Sequence, residues 1–185
     1  MAANGLVAKA HDAVSRDTPR TALEEFFDSL MAGNGPALFR LAGGFTNTPA
    51  DRDDLFQEIV LAVWQALPSF RGESSPRTYL FRIARNRAIA YLVSRRMPQT
   101  IEGEELLVHD PKPDPERQVE AQQQRRNILD AVRRLPFVYR DVITLALEGL
   151  SYAEMAEVLG VSEANVGTRL TRARNALRKL LEKTL

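Results

Sequence analysis

Cysteine is absent from the 185 residues, which excludes disulfides, thiol redox chemistry and thiolate metal sites together. Histidine occurs twice, at the isolated positions His11 and His109, so no His-centred catalytic set can be assembled. No apolar run reaches the length of a membrane span, and the first residues lack the charged-then-apolar pattern of a signal peptide. Strand-like alternation is missing, no internal repeat is visible, and Gly33, Gly35, Gly43 and Gly44 do not fall at phosphate-loop spacing. Asp51, Asp53, Asp54 and Glu58 lack the further ligand that would make them a metal set. These absences lead to the expectation of a soluble, cytoplasmic, all-α protein with no cofactor, no metal and no catalytic residues. A hydrophobic content of 44% and a charged content of 26% suit a globular chain.

A net charge of +1 hides strong patterning. Residues 1–67 carry five basic against nine acidic side chains, and residues 68–97 carry seven arginines against Glu73 alone. Residues 98–120 reverse the sign with two basic and seven acidic residues, and residues 121–185 return to eleven against seven. Two basic blocks separated by an acidic one are the electrostatic footprint expected of nucleic-acid binding. Pro98, Pro111, Pro113 and Pro115 interrupt the acidic block. A run such as DPKPDPE cannot be helical, because each proline removes a donor and disfavours helix at the preceding residue. Residues 98–120 are therefore expected to form an extended, proline-rich acidic linker between two small helical domains, residues 21–97 and 121–185. Residues 1–20 carry no motif and are expected to be a disordered or loosely helical tail.

The segment SYAEMAEVLGVSEANVGTRLTRARNALR, residues 151–178, has the grammar of a helix-turn-helix. Ser151 and Glu154 make a capping box, so a helix should begin at Tyr152. Gly160 marks a stop in the left-handed conformation, and Ser162 can cap a second helix. On that helix Val166, Leu170, Ala173 and Leu177 form one apolar stripe. Asn165, Thr168, Arg169 and Arg172 lie off the stripe, where a recognition helix carries base- and phosphate-reading groups. An ordinary helical hairpin with a solvated basic face would share this pattern.

Helical periodicity also runs through the N-terminal half. Thr21 and Glu24 make a second capping box, and Pro36 is expected to open a separate helix. Pro49 and three acids suit the first turn of another, with Leu55, Ile59, Ala62 and Val63 as its core stripe. After the RGESSP loop a long helix is expected from about Arg77 to Arg95. Thr78, Arg82, Arg85, Asn86 and Ile89 share one face of it, and Leu80, Ala84, Ala88 and Tyr91 the opposite one. Arg82 and Arg85 can hold phosphates there, and Asn86 can hydrogen-bond a base edge. Phe70 is balanced between a base-stacking and a core role; Tyr91 is read as core.

Together these segments resemble the bacterial sigma factors of the sigma-70 family. DRDDLFQEIVLAVW, residues 51–64, is similar to the segment that binds core RNA polymerase. FRGESSPRTYLFRIARNRAIAYLVSRR, residues 70–96, is similar to the segment that melts and reads the downstream promoter element, and the C-terminal domain to the reader of the upstream element. Two domains on a short tether resemble the extracytoplasmic-function (ECF) group. The resemblance covers roughly residues 20–183 and implies three sets of contacts. Asp54, Gln57, Glu58, Leu61 and Trp64 would dock on polymerase. Phe70, Arg71, Ser74, Arg82, Arg85 and Asn86 would contact the downstream element as duplex and melted single strand. Ser151, Asn165, Thr168, Arg169, Thr171 and Arg172 would contact the upstream element. It also implies an anti-sigma partner.

Departures from the family pattern are Tyr79 in place of a usual tryptophan, Ala90 where an acid is frequent, and Gly167 where Lys or Arg is common. The alternative function is a stand-alone helix-turn-helix regulator, which would act as a dimer on palindromic sites. Without an inhibitor the two domains are expected to stand apart on the tether.

Overall fold

The computed structural model describes residues 20–96 and 127–182; the tail and the linker lie outside the described residues. Helix α1, Arg20–Phe45, is a single helix with Pro36 inside it, where the sequence predicted a break. An interior proline costs a helix about 3 kcal/mol. Here its ring is exposed, and Leu38, Leu41 and Ala42 just beyond it are fully buried, so core packing holds the helix continuous. Thr21 lies within α1, and the capping contact expected of its side chain lies outside the described residues.

Helix α2, Pro49–Ala66, starts as its sequence dictates: Thr48 is extended, its hydroxyl accepts from the Asp51 N–H, and Pro49 occupies the first turn. Leu55, Ile59 and Val63 are fully buried, while Ala62 is only half-buried. A short 3-10 turn, Leu67–Ser69, leads into the loop before α3, Pro76–Arg96. Ser75 caps α3 by accepting from the Thr78 N–H at 3.0 Å, and the two hydroxyls lie 2.7 Å apart. Thr78 is thereby buried, which removes it from the exposed face where the helical wheel placed it. Leu80, Phe81, Ala84 and Ala88 seat α3 against α1 and α2.

The C-terminal half contains α4 at 127–134, α5 at Phe137–Leu147, α6 at Tyr152–Leu159 and α7 at Glu163–Glu182. Pro136 separates α4 from α5, as expected. Helix α5 buries five consecutive residues, Asp141 to Leu145, which is possible only when a helix is covered on more than one side. One side is α7, and the other is the N-terminal half.

That second contact corrects the expectation that the halves stand apart. α3 packs on α6, α1 packs on α5, and the buried apolar residues of both halves form one continuous cluster. Gly44 of α1 approaches α5 so closely that a Cβ there would lie 3.0 Å from Thr144 Oγ1, and the Thr144 side chain would have to give way to admit it. Phe45 faces Phe137 with ring centroids 6.3 Å apart. Arg85 donates to Asp141 at 2.7 Å, and Arg40 makes a two-pronged bond to Glu148 at 3.0 and 2.7 Å. Arg77 also donates to the Glu148 carbonyl, and Arg133 to that of Gly43 at 3.3 Å.

Phe81 is the largest fully buried side chain of α3. Phe81→Ala should cost about 3–5 kcal/mol in urea denaturation, against less than about 0.5 kcal/mol for Leu61→Ala at an exposed position.

Candidate nucleic-acid interface

Between the 3-10 turn and the first turns of α3 lies an open concavity of about 450 Å³, lined by Pro68, Ser69, Phe70, Arg71, Glu73, Ser74, Tyr79 and Arg82. Four of the residues assigned to the downstream element, Phe70, Arg71, Ser74 and Arg82, come together here. Their roles differ from the sequence expectation in one respect. Phe70 is only 3% exposed, stacked on Phe26 and tilted against Tyr79 at 4.9 Å, so its ring is the packed floor of the concavity and not a free stacking surface. Tyr79 anchors that floor by donating to the Ala66 carbonyl at 3.0 Å. The Arg82 guanidinium lies over the Tyr79 ring at 5.3 Å, exposed and aimed along the rim. Tyr79 and Glu73 were missed as lining residues, although both sit within the loop and helix start that the motif marked.

Asn86 is exposed but opens onto a different groove, shared with Ala62, Gln65, Ala66, Ile83, Arg87 and Ala90. Arg85 turns away from both. Its side chain is 17% exposed and bound to Asp141, so in this conformation it cannot reach a phosphate, contrary to its placement on the solvent face. Burial pushes the Asp141 carboxyl above its ordinary range, and attraction to Arg85 and then Arg169 opposes that without cancelling it. A signal for Asp141 existed in the sequence: it is the lone acid within the apolar run of FVYRDVITLAL.

The helix-turn-helix follows its sequence grammar closely. Ser151 accepts from the Glu154 N–H while Glu154 bonds back to the Ser151 N–H, a complete capping box. Gly160 takes φ 68° and closes α6. Ser162 accepts from the Asn165 N–H at 3.3 Å, and Val166, Leu170 and Ala173 are buried; Leu177 is half-buried. Asn165, Thr168, Thr171 and Arg172 are exposed on α7, with Arg169 half-buried beside them. The Thr168 and Thr171 hydroxyls donate to carbonyls one turn back, leaving their oxygens to accept. Asn165, Thr168, Arg169 and Arg172 line a second concavity, of about 630 Å³, with Pro136, Val138 and Tyr139. Ser151 is set apart from this group, since its hydroxyl is engaged with Glu154 on both its donor and acceptor sides. Gly167 faces Tyr152, whose ring a Cβ would meet at 3.5 Å, an ordinary van der Waals contact.

The residues expected to dock on polymerase lie on α2. Asp54, Gln57, Glu58 and Leu61 are exposed, Leu61 at 55%, and Trp64 is half-buried with its ring edge-on to Phe27 at 5.2 Å. Asp51, three residues before Asp54, belongs to the structure instead: it is 8% exposed and ion-paired with Arg95 of α3. Among the described residues no cluster of three potential metal ligands occurs, and no helix is long and apolar enough to cross a membrane.

The capping geometry makes a separable prediction for Ser151. Ser151→Ala should lower stability by about 1 kcal/mol in thermal or urea unfolding, and Ser151→Asp, which also caps, should restore most of it.

The sequence profile "Sigma-70 region 2" matches residues 30–97, and "Sigma-70, region 4" matches residues 125–177. The RNA polymerase sigma factor CnrH of Cupriavidus metallidurans is 35% identical over 84% of this chain and 86% of its own. The ECF RNA polymerase sigma-E factor of Haemophilus influenzae is 31% identical over 77% of this chain and 82% of its own. The solved structure of CnrH in complex with the cytosolic domain of CnrY covers 99% of both chains with a TM-score of 0.68 and 28% identity. With both conserved regions present in order on an all-α fold of the same shape, the chain belongs to the ECF sigma factors of the sigma-70 family.

Proposed function

We propose that this sigma factor directs core RNA polymerase to its promoters by using three separate surfaces: the exposed face of α2 for the polymerase, the concavity at the start of α3 for the melted downstream element, and the exposed face of α7 for the upstream element. It has no catalytic activity of its own and works in the cytoplasm. The observation that carries this reading is the face of α2, where Asp54, Gln57, Glu58 and Leu61 stay in solvent at helical spacing although the opposite face is fully packed. Acids around an exposed leucine and a half-buried tryptophan suit a basic helical partner with apolar side chains. The concavity floored by Phe70 and rimmed by Arg71 and Arg82 suits an unstacked base with its phosphate. The chemistry of α7 suits duplex DNA, with Asn165 and Arg172 able to reach base edges or phosphates. The stand-alone regulator reading leaves the α2 face without a use.

An inhibitory partner also belongs to the proposal. CnrH has been solved with the cytosolic domain of CnrY, and the family resemblance gives this chain a similar protein partner.

Replacing both Asp54 and Glu58 with Lys should abolish co-purification with core polymerase while leaving the unfolding midpoint unchanged, since both side chains are exposed. Retained co-purification would remove α2 from the docking surface.

Arg172→Ala should weaken upstream-element binding in one of two distinguishable ways. A base contact predicts a loss of about 1–3 kcal/mol confined to the specific duplex. A phosphate contact predicts a uniform loss and a salt slope reduced by about one. Titrations on specific and scrambled duplexes at several salt concentrations separate them, and no change in either removes Arg172 from the interface.

A further inference from the structure

Gly167 sits in the second turn of α7, the helix proposed to read the upstream element, and the fold gives no reason for a glycine there. Its φ is not in the left-handed region that favours glycine. A Cβ would meet its nearest neighbour, the Tyr152 ring, at 3.5 Å, so alanine would fit as well. Glycine is a poor residue for a helix interior, and the position forgoes helix stability that alanine would supply. What the missing side chain does is leave a seat for another one. Tyr152, the first residue of α6, lays its ring against Gly167 and is still 43% exposed. Tyr79 is anchored by donating to a carbonyl, whereas the Tyr152 hydroxyl bonds to nothing among the described residues.

The neighbours of this seat define what the ring can touch. Ala164, Thr168 and Thr171 are exposed around Gly167, so the ring borders the outward face of α7. The Thr168 and Thr171 hydroxyls donate to the Ala164 and Gly167 carbonyls at 3.0 and 2.9 Å, and neither has a proton left for a base. An aromatic ring is what projects beside them. In the major groove thymine alone presents a methyl group, and apolar side chains read it by contact.

We propose that Tyr152 is a specificity-determining residue of the upstream-element reader: its ring, seated on Gly167, packs on the 5-methyl group of a thymine in the major groove. This rests on the reading of α7 as the helix that enters that groove. The first helix of a helix-turn-helix crosses the DNA backbone, so a residue at its start reaches a base only if its side chain is carried over onto the second helix. Gly167 permits that, and a long side chain at 167 would push the ring off α7.

The probe is a duplex selected from a randomised pool by the full-length chain, alone and with core polymerase. Each thymine of the selected duplex is replaced in turn by deoxyuridine, which removes the 5-methyl group and nothing else. One such replacement should weaken binding of the parent about fourfold, the scale of one buried methyl group, and should cost Tyr152→Ala nothing. Tyr152→Phe keeps the ring and should keep the sensitivity. Gly167→Arg should lose it, and selection repeated on that variant should return a different base at the same position.

The proposal is overturned if no thymine is methyl-sensitive, if the sensitivity survives Tyr152→Ala or Gly167→Arg, or if selection yields no preferred sequence. A loss in Tyr152→Phe that falls equally on selected and scrambled duplexes also overturns it, since that marks a hydroxyl held on phosphate. The sigma-factor reading is tested apart from this, by 5′-end mapping of transcripts made on genomic DNA with core polymerase and the parent protein. Absence of new start sites counts against that reading and leaves the deoxyuridine result standing, because a stand-alone helix-turn-helix regulator would use the same contact.

Discussion

Asp141 is the point on which the packing of the two halves turns. Its side chain is 4% exposed, Arg85 meets it from across the seam at 2.7 Å, and Arg169 of its own half acts on the same carboxylate. A lone buried carboxylate would be costly, because the charged form loses its hydration. It is tolerated here because α5 lies between α7 and the N-terminal half, each of which brings an arginine toward it. The same residue connects α3, proposed for the downstream element, to α7, proposed for the upstream one.

Around that point the two halves are built by different means. The N-terminal half relies on three long helices whose apolar faces meet at Leu38, Leu41, Leu55, Ile59, Leu80 and Phe81, all fully buried. The surfaces proposed for partners lie on the outward faces of the same helices, so a core face and an exposed face share one element without competing. The C-terminal half is smaller, and its short helices need their caps. α6 is only eight residues long, and the reciprocal bonds of Ser151 and Glu154 at one end and the left-handed Gly160 at the other satisfy groups that packing alone would leave open. The turn between α6 and α7 is thus set locally, by the Gly160 stop and the Ser162 cap.

Function follows from which side chains this packing leaves free. Arg82 and Arg71 stay on the rim of the α3 concavity because Phe70 and Tyr79 fill its floor. Asp54 and Glu58 stay in solvent because Leu55 and Ile59 take the inner positions of α2. Asp51, three residues before Asp54, turns inward to Arg95 and becomes part of the scaffold. Neighbouring residues of like charge therefore serve different ends, according to the helical face on which each one falls.

Much of this was readable before any coordinates. The Ser151–Glu154 capping box, the Gly160 stop, the buried stripe of α7 and the division of α4 from α5 at Pro136 are set by interactions within a few residues, and a linear pattern records such interactions directly. The ordered motifs of residues 51–64, 70–96 and 151–178 likewise carried the family. Three features were decided only by the tertiary structure. Pro36 stays inside α1 because burial beyond it outweighs a local penalty that the sequence alone makes visible. Phe70 becomes core because Phe26 and Tyr79 arrive from other parts of the chain to cover it. Arg85 is withdrawn from solvent because Asp141, distant in sequence, is brought opposite it when α5 packs on the N-terminal half. A helical wheel assigns residues to faces, but what covers a face is a long-range contact, and that contact has no signature in local spacing.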